Sequence, residues 1–214
     1  MHHILEEVLL PMQKKNVVVL VGRFSPPHLG HYKAINNAKA FIRNNPKLNL
    51  EAQPVVIVIA GPKTSLDKKT NPLSVHDRIN FMKYSGNADG VVFSESSNAF
   101  KAFEKVRELG YEPIVIAAGD DRADNYLSIL DNHFLKKNGS KITHYKVPNL
   151  EREKASLSDL EDSATIDSSL VSGTMVRAAI NAGYEDVFTK MVGLEKKPKL
   201  AKLMFKKVKK AMEE

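Results

Sequence analysis

"NVVVLVGRFSPPHLGHYKAI", residues 16–35, changes character at Gly22. Val17 to Val21 is an unbroken apolar run, mostly β-branched, and a run without polar alternation suits a strand covered on both faces. Gly22 ends the run, Pro26 and Pro27 stiffen a turn, and from about His28 the spacing becomes helical. His28 and His31 then stand three apart, with Gly30 between them, where a buried strand hands over to a helix.

The alternation continues along the chain. Strand-length apolar runs recur at 54–60, 90–94, 113–119 and 142–147. Between them, 31–44, 74–85, 98–110 and 122–137 each carry an apolar stripe at helical period, with Gly110 placed to end the third. This order predicts an α/β fold with a parallel sheet of about five strands and helices on both faces. Segments 61–73 and 149–169 lack periodicity and read as loops. Each follows the carboxyl end of a strand, where ligands collect in open α/β sheets, so both are expected to be lids over a site.

A chain of 214 residues, 43 % hydrophobic, supports one main domain. No apolar run approaches the roughly 18 residues that cross a bilayer, and cysteine is absent. A soluble, cytoplasmic protein without disulfides or thiolate metal sites is therefore expected. The formal charge of +7 is local: residues 196–214 carry eight lysines against Glu213 and Glu214, a sum of +6 that leaves +1 for the rest. Leu200, Leu203, Met204, Val208 and Ala211 recur there at helical spacing. The expectation is a main domain over 1–195 and an amphipathic basic helix over 196–214, packed on it or free, with its lysines in solvent. Nucleic acid stays open as a partner of that tail but is not favoured, and no membrane contact is expected.

The turn after the first strand has the makings of an anion site. A helix N-terminus presents unpaired N–H groups and the positive end of its macrodipole, which favour a phosphate. Gly22 would let backbone approach a ligand, Gly30 would let the new helix approach what lies above it, and Arg23 adds a positive charge. Imidazoles at His28 and His31 project from one side of a helical turn and could both donate to one phosphate chain. A metal site is not expected, because no third ligand lies in the stretch. Neither a Walker loop nor a Gly-x-Gly-x-x-Gly fingerprint is present. After the fourth strand, "GDDR" (119–122) is either a plain helix start or a second phosphate grip through Gly119, Asp120 and Arg122. Lys63 is a weaker candidate for an acceptor phosphate.

"GRFSPPHLGH" (22–31) resembles the Gly-x-Phe-x-Pro-x-His-x-Gly-His signature of the HxGH nucleotidyltransferase superfamily, including Phe24. That superfamily has a second signature, Ser-x-Thr followed by a basic residue, and "VSGTMVRAAI" (171–180) supplies Ser172, Gly173, Thr174 and Arg177. Ser172 is a natural N-cap, and the first turn of that helix would face the first site as a second anion cradle. Arg23 after Gly22 and "NPLSVHDR" (71–78) are similar to archaeal-type nicotinamide mononucleotide adenylyltransferases. "VIAAGDDRADNY" (115–126) instead resembles nucleotidyltransferase-like proteins of tailed phages, which would place the protein in a host cytoplasm.

The resemblance implies a Rossmann-like fold and transfer of a nucleoside monophosphate, AMP from ATP foremost, to a phosphorylated small molecule, nicotinamide mononucleotide foremost, with release of pyrophosphate. Cytidylyl transfer to a phosphorylated alcohol and adenylyl transfer to pantetheine phosphate remain alternatives, as does a non-catalytic module working through the lysine tail. His28, His31 and Arg177 would be catalytic. Gly22, Arg23, Phe24, Gly30, Gly119, Asp120, Arg122, Ser172, Gly173 and Thr174 would bind nucleotide. Mg²⁺ would arrive with the triphosphate, bound to phosphate and water without dedicated protein ligands. A homo-oligomer stays open.

Overall fold

The computed structural model describes residues 14–60, 68–118, 120–132, 143–148, 156–161 and 165–214. The opening stretch forms β1 (Lys15–Gly22) at the centre of a five-stranded sheet. Its partners are β2 (Val55–Ile59), β3 (Val92–Ser96), β4 (Tyr111–Ile116) and β5 (Tyr145–Lys146), in the order β3-β2-β1-β4-β5, and every pairing is parallel. The described residues thus form a Rossmann-like α/β fold. Where β4 was expected at 113–119, it starts two residues earlier and ends at Ile116. Pro113, lacking an N–H, coincides with a register shift: Val17 faces Pro113 but Val18 faces Val115.

The uninterrupted apolar run of β1 is explained by what covers it. Val17, Val19 and Val21 face one layer, packed on Ala102, Phe103 and Val106 of α3 (Ala99–Glu108) and Tyr126 of α4 (Asp120–Leu130). Val18 and Leu20 face the other, against Tyr32, Ile35 and Ala38 of α1 (Leu29–Asn44) and Met82 of α2 (Val75–Ser85). Val17, Val18 and Val19 are wholly excluded from solvent, each burial contributing about 2 kcal/mol. Gly110, with φ +87°, follows α3 as its terminator.

A third apolar cluster lies outside the sheet layers. It joins α5 (Ser158–Glu161), α6 (Gly173–Ala182), α7 (Glu185–Met191) and α8 (Pro198–Glu213) to Leu73 and to Phe81 of α2. Ala201, Met204, Phe205 and Val208 of α8 are buried there, and the Phe205 ring meets Phe188 edge-on at 5.2 Å. The expected stripe is corrected at one position: Leu203 is 57 % exposed, and Ala201 and Phe205 take the inward places. Leu203 lies about 140° round the helix from Val208, so it cannot share the buried face. Lys207 pairs with Asp77 of α2 at 2.5 Å, and Lys197 donates to the Tyr84 carbonyl at 2.7 Å. No described helix is long and apolar enough to cross a membrane.

The chain runs from β1 outward through β2 to β3, then returns to place β4 on the other side of β1. Between β1 and β4 the strand order reverses. Connections leave that edge in opposite directions and open a crevice at the carboxyl ends of the two strands.

Candidate functional site

The turn that leaves β1 at this crevice is tightly specified. Phe24 has φ +52°, a left-handed conformation uncommon for a residue with a side chain, and its ring folds back over Gly22. A Cβ on Gly22 would lie 3.0 Å from that ring. The space opened by Gly22 is therefore filled by Phe24, not by approaching ligand. The Ser25–Pro26 peptide is cis. Ser25 is buried, and its hydroxyl makes no hydrogen bond among the described residues.

His28 is the N-cap of α1 and only 2 % exposed. Its Nδ1 accepts the Gly30 N–H at 3.2 Å, and the Nδ1 of His31 accepts the His28 N–H at 3.2 Å. The two imidazoles thus form a reciprocal capping box, a role usually taken by Ser or Thr and Glu. A backbone N–H can only donate, so each Nδ1 must be the acceptor and the proton of each neutral ring sits on Nε2. The ring centroids are 3.7 Å apart, and Phe24 lies 4.7 Å from His31.

Ser172 caps α6, accepting the Met175 N–H at 3.3 Å. Its helix meets the first turn at two places. Arg177 Nη1 donates to the Ser25 carbonyl at 2.8 Å, across 152 positions of sequence, while Nη2 reaches Thr174 Oγ1 at 3.3 Å. A Cβ on Gly30 would lie 3.1 Å from the Val171 carbonyl and 3.1 Å from the His28 ring, so α1 and the residue before the cap touch through the glycine. A Cβ on Gly173 would similarly crowd the Arg177 guanidinium and the Ser25 carbonyl.

These contacts enclose a cleft of about 360 Å³, lined by Arg23, His28, His31, Arg122, Thr174 and Arg177, together with Phe24, Ser25, Thr70, Ser172 and Gly173. A smaller recess of about 70 Å³ adjoins it at the β1–β4 reversal and shares Phe24, His31 and Arg122. Val21, Ala117 and Ser169 are among its other walls. Three guanidiniums and the N-termini of two helices face the larger cleft, and no carboxylate is among its described walls. That donor set fits a polyanion. Among the described residues there is also no group of three or more His, Cys, Asp or Glu able to hold a metal ion. A divalent cation reaching this cleft would be held by the anion's own oxygens and water.

Of the residues singled out from the sequence, Arg23, Phe24, His28, His31, Arg122, Ser172, Gly173, Thr174 and Arg177 line the larger cleft, and Gly30 lines the recess. Gly22 supports the turn from behind. Gly119, Lys63 and the Asp120 side chain lie outside the described residues, as does half of the two loops expected to be lids. One supporting residue was not singled out from the sequence. Arg78, at the end of the "NPLSVHDR" stretch, is 2 % exposed and donates to the backbone carbonyls of Arg23 at 2.6 Å, Ile59 at 2.9 Å and Ser74 at 3.2 Å. Burial, helped by the nearby Arg23 charge, pulls its pKa down to about 10. It braces the turn at Arg23, two residues before the carbonyl that Arg177 holds.

Comparison with known proteins agrees with this geometry. No curated protein matches the sequence. Among solved structures, a crystal structure titled as a macrolide-efflux protein from Streptococcus pneumoniae is similar, with a TM-score of 0.50 and 19 % identity. The match covers 85 % of this chain and 56 % of that one, so the chain spans little over half of its neighbour, and the likeness speaks for the fold alone. The family model described as cytidylyltransferase-like matches residues 19–179, from the middle of β1 to within α6, and so takes in both cleft-forming segments. By that match the chain belongs to the cytidylyltransferase-like family, within the HxGH nucleotidyltransferase superfamily.

Proposed function

We propose that the protein transfers AMP from ATP to nicotinamide mononucleotide, releasing pyrophosphate. The family supports nucleotidyl transfer in general. The finer reading rests on the pairing of Arg23 with "NPLSVHDR", whose arginine grips the Arg23 carbonyl. The observation that carries it is the single cleft in which two capped helix N-termini, two Nε2-protonated imidazoles and three guanidiniums converge.

In this reading an oxygen of the acceptor phosphate attacks the α-phosphorus of the triphosphate, the bond to the α–β bridging oxygen breaks, and pyrophosphate leaves with that electron pair. No covalent intermediate with the protein is needed, in keeping with a cleft that holds donors and cations. Catalysis is then positioning and charge stabilisation. His28 and His31 offer Nε2–H donors, His31 nearest the oxygens that gain charge. Arg23 and Arg177 hold the triphosphate tail, with Ser172 and Thr174 assisting, and Arg122 grips a phosphate from the β4 side. Gly119 and Asp120 are assigned to the nucleotide and Lys63 to the acceptor phosphate on the sequence alone. Mg²⁺, bound to phosphate oxygens and water, would neutralise part of the leaving pyrophosphate's charge.

The test is pyrophosphate release with each of the nucleoside triphosphates against nicotinamide mononucleotide, pantetheine phosphate and phosphorylated alcohols. Release is expected with ATP and nicotinamide mononucleotide. Release with CTP and a phosphorylated alcohol would reassign base and acceptor within the same chemistry, and no release across the panel would overturn the enzymatic reading.

A further inference from the structure

The cleft uses Arg23, Arg122 and Arg177 but leaves the lysines of the chain unexplained. α8 carries its basic residues on one side only. With about 100° per residue, Lys199, Lys202, Lys206, Lys209 and Lys210 fall within an arc of about 100°, turned away from Ala201 and Val208. All five are exposed. Lys199, Lys202, Lys206 and Lys209 make no ion pair among the described residues, whereas Lys207, on the flank, is neutralised by Asp77. Residues 196–214 sum to +6 and everything before them to +1, so the molecule's net charge sits on this helix.

We infer that this lysine face of α8 is a docking surface for the phosphodiester backbone of nucleic acid. From Lys199 to Lys210 the helix rises about 16 Å, and one strand of B-form duplex presents about five phosphates over that length. The lysine face therefore spans a length over which a duplex presents several phosphates. The arc has no side chain suited to reading a particular partner: its other exposed member is Glu213 at the end, and Leu203 lies just beside it. A uniformly repeating anion fits it better than the irregular charges of an acidic protein. A bilayer would need the apolar side of an amphipathic helix for insertion, and here Ala201, Met204, Phe205 and Val208, 0–8 % exposed, are committed to the core. The inference is independent of the acceptor and base in the proposed reaction.

Removing the helix would be a poor test, because it would also unpack α6 and with it Arg177. The test uses the full chain and the triple variant Lys202→Gln, Lys206→Gln, Lys209→Gln, whose side chains project into solvent. Binding to a fluorescently labelled mixed-sequence duplex of about 20 base pairs is followed by anisotropy across a salt series. The wild-type protein is expected to show a slope of log K against log salt of about −4, about a 250-fold loss of affinity between 50 and 200 mM salt. The triple variant should reduce that slope to about −1.5, with affinity at low salt down at least tenfold and an unchanged thermal midpoint. No duplex binding at low salt, or equal binding by wild type and variant, overturns the inference. So does binding to phosphatidylserine vesicles or to polyglutamate with none to the duplex, which would assign the face to a membrane or to an acidic protein.

Discussion

Replacing His31 should separate two roles that one ring performs. Its Nδ1 accepts the His28 N–H at 3.2 Å and closes the capping box of α1, while in the proposed reaction its Nε2–H serves as a donor in the cleft that the residue lines. His31→Ala removes both. Loss of the cap costs about 1 kcal/mol, and loss of the ring contacts with His28 and Phe24 about 1 kcal/mol more. For a chain of this size that lowers the thermal midpoint by about 4–8 °C. Loss of a donor to oxygens that gain charge costs about 3 kcal/mol of transition-state stabilisation, a rate loss of about a hundredfold or more. His31→Glu keeps an acceptor at the third helical position and restores a standard capping box without the donor. Its midpoint should return to within about 2 °C of wild type while turnover stays at least about a hundredfold down. The assays are calorimetric melting and pyrophosphate release from ATP with nicotinamide mononucleotide. Wild-type turnover in either variant would remove His31 from the chemistry, and a wild-type midpoint in His31→Ala would show that the reciprocal cap contributes nothing.

Gly30→Ala places a methyl 3.1 Å from the Val171 carbonyl and should force α1 and the α6 cap apart, at about 1–3 kcal/mol of stability by chemical denaturation. A rise in KM for the triphosphate should accompany it. Arg78→Met leaves the Arg23 and Ile59 carbonyls without their buried donor and should lower stability by about 3 kcal/mol; a shift under about 0.5 kcal/mol would mean that water replaces the guanidinium. Burial, partly opposed by a hydrogen bond from Ser85, pushes the Tyr32 phenol up to about 12 from 10.0. Its unfolded form therefore loses a proton that the folded form keeps, so stability is full below pH 10 and falls between about pH 10 and 12, by about 3 kcal/mol. Urea midpoints across that range should show the decline in wild type and a shallower one in Tyr32→Phe.

Much of this architecture was legible because hydrophobic burial leaves a periodic trace. Val17 to Val21 could not alternate, since helices cover both faces of β1, and the string shows that directly. The register of α8 was harder: Leu203 has the chemistry of a core residue, and only the angle set by Ala201, Phe205 and Val208 turns it outward. The meeting of "GRFSPPHLGH" with "VSGTMVRAAI" was implied by the resemblance to two paired family signatures. Its cause was not, because Arg177 and Gly30 contact the carbonyls of Ser25 and Val171, and every residue has a carbonyl. Arg78 escaped for the same reason. Gly22 was readable as a special position but its use was misjudged, since nothing in the sequence says that the Phe24 ring doubles back over it.

The braces of the first turn grip its main chain: Arg78 holds the carbonyls of Arg23, Ile59 and Ser74, and Arg177 that of Ser25. The side chain at position 23 can therefore be exchanged without untying the frame that carries the two imidazoles. Such a scaffold separates what keeps the loop in shape from what the loop displays. New substrate preferences can then arise at its walls by single replacements, with little penalty to folding.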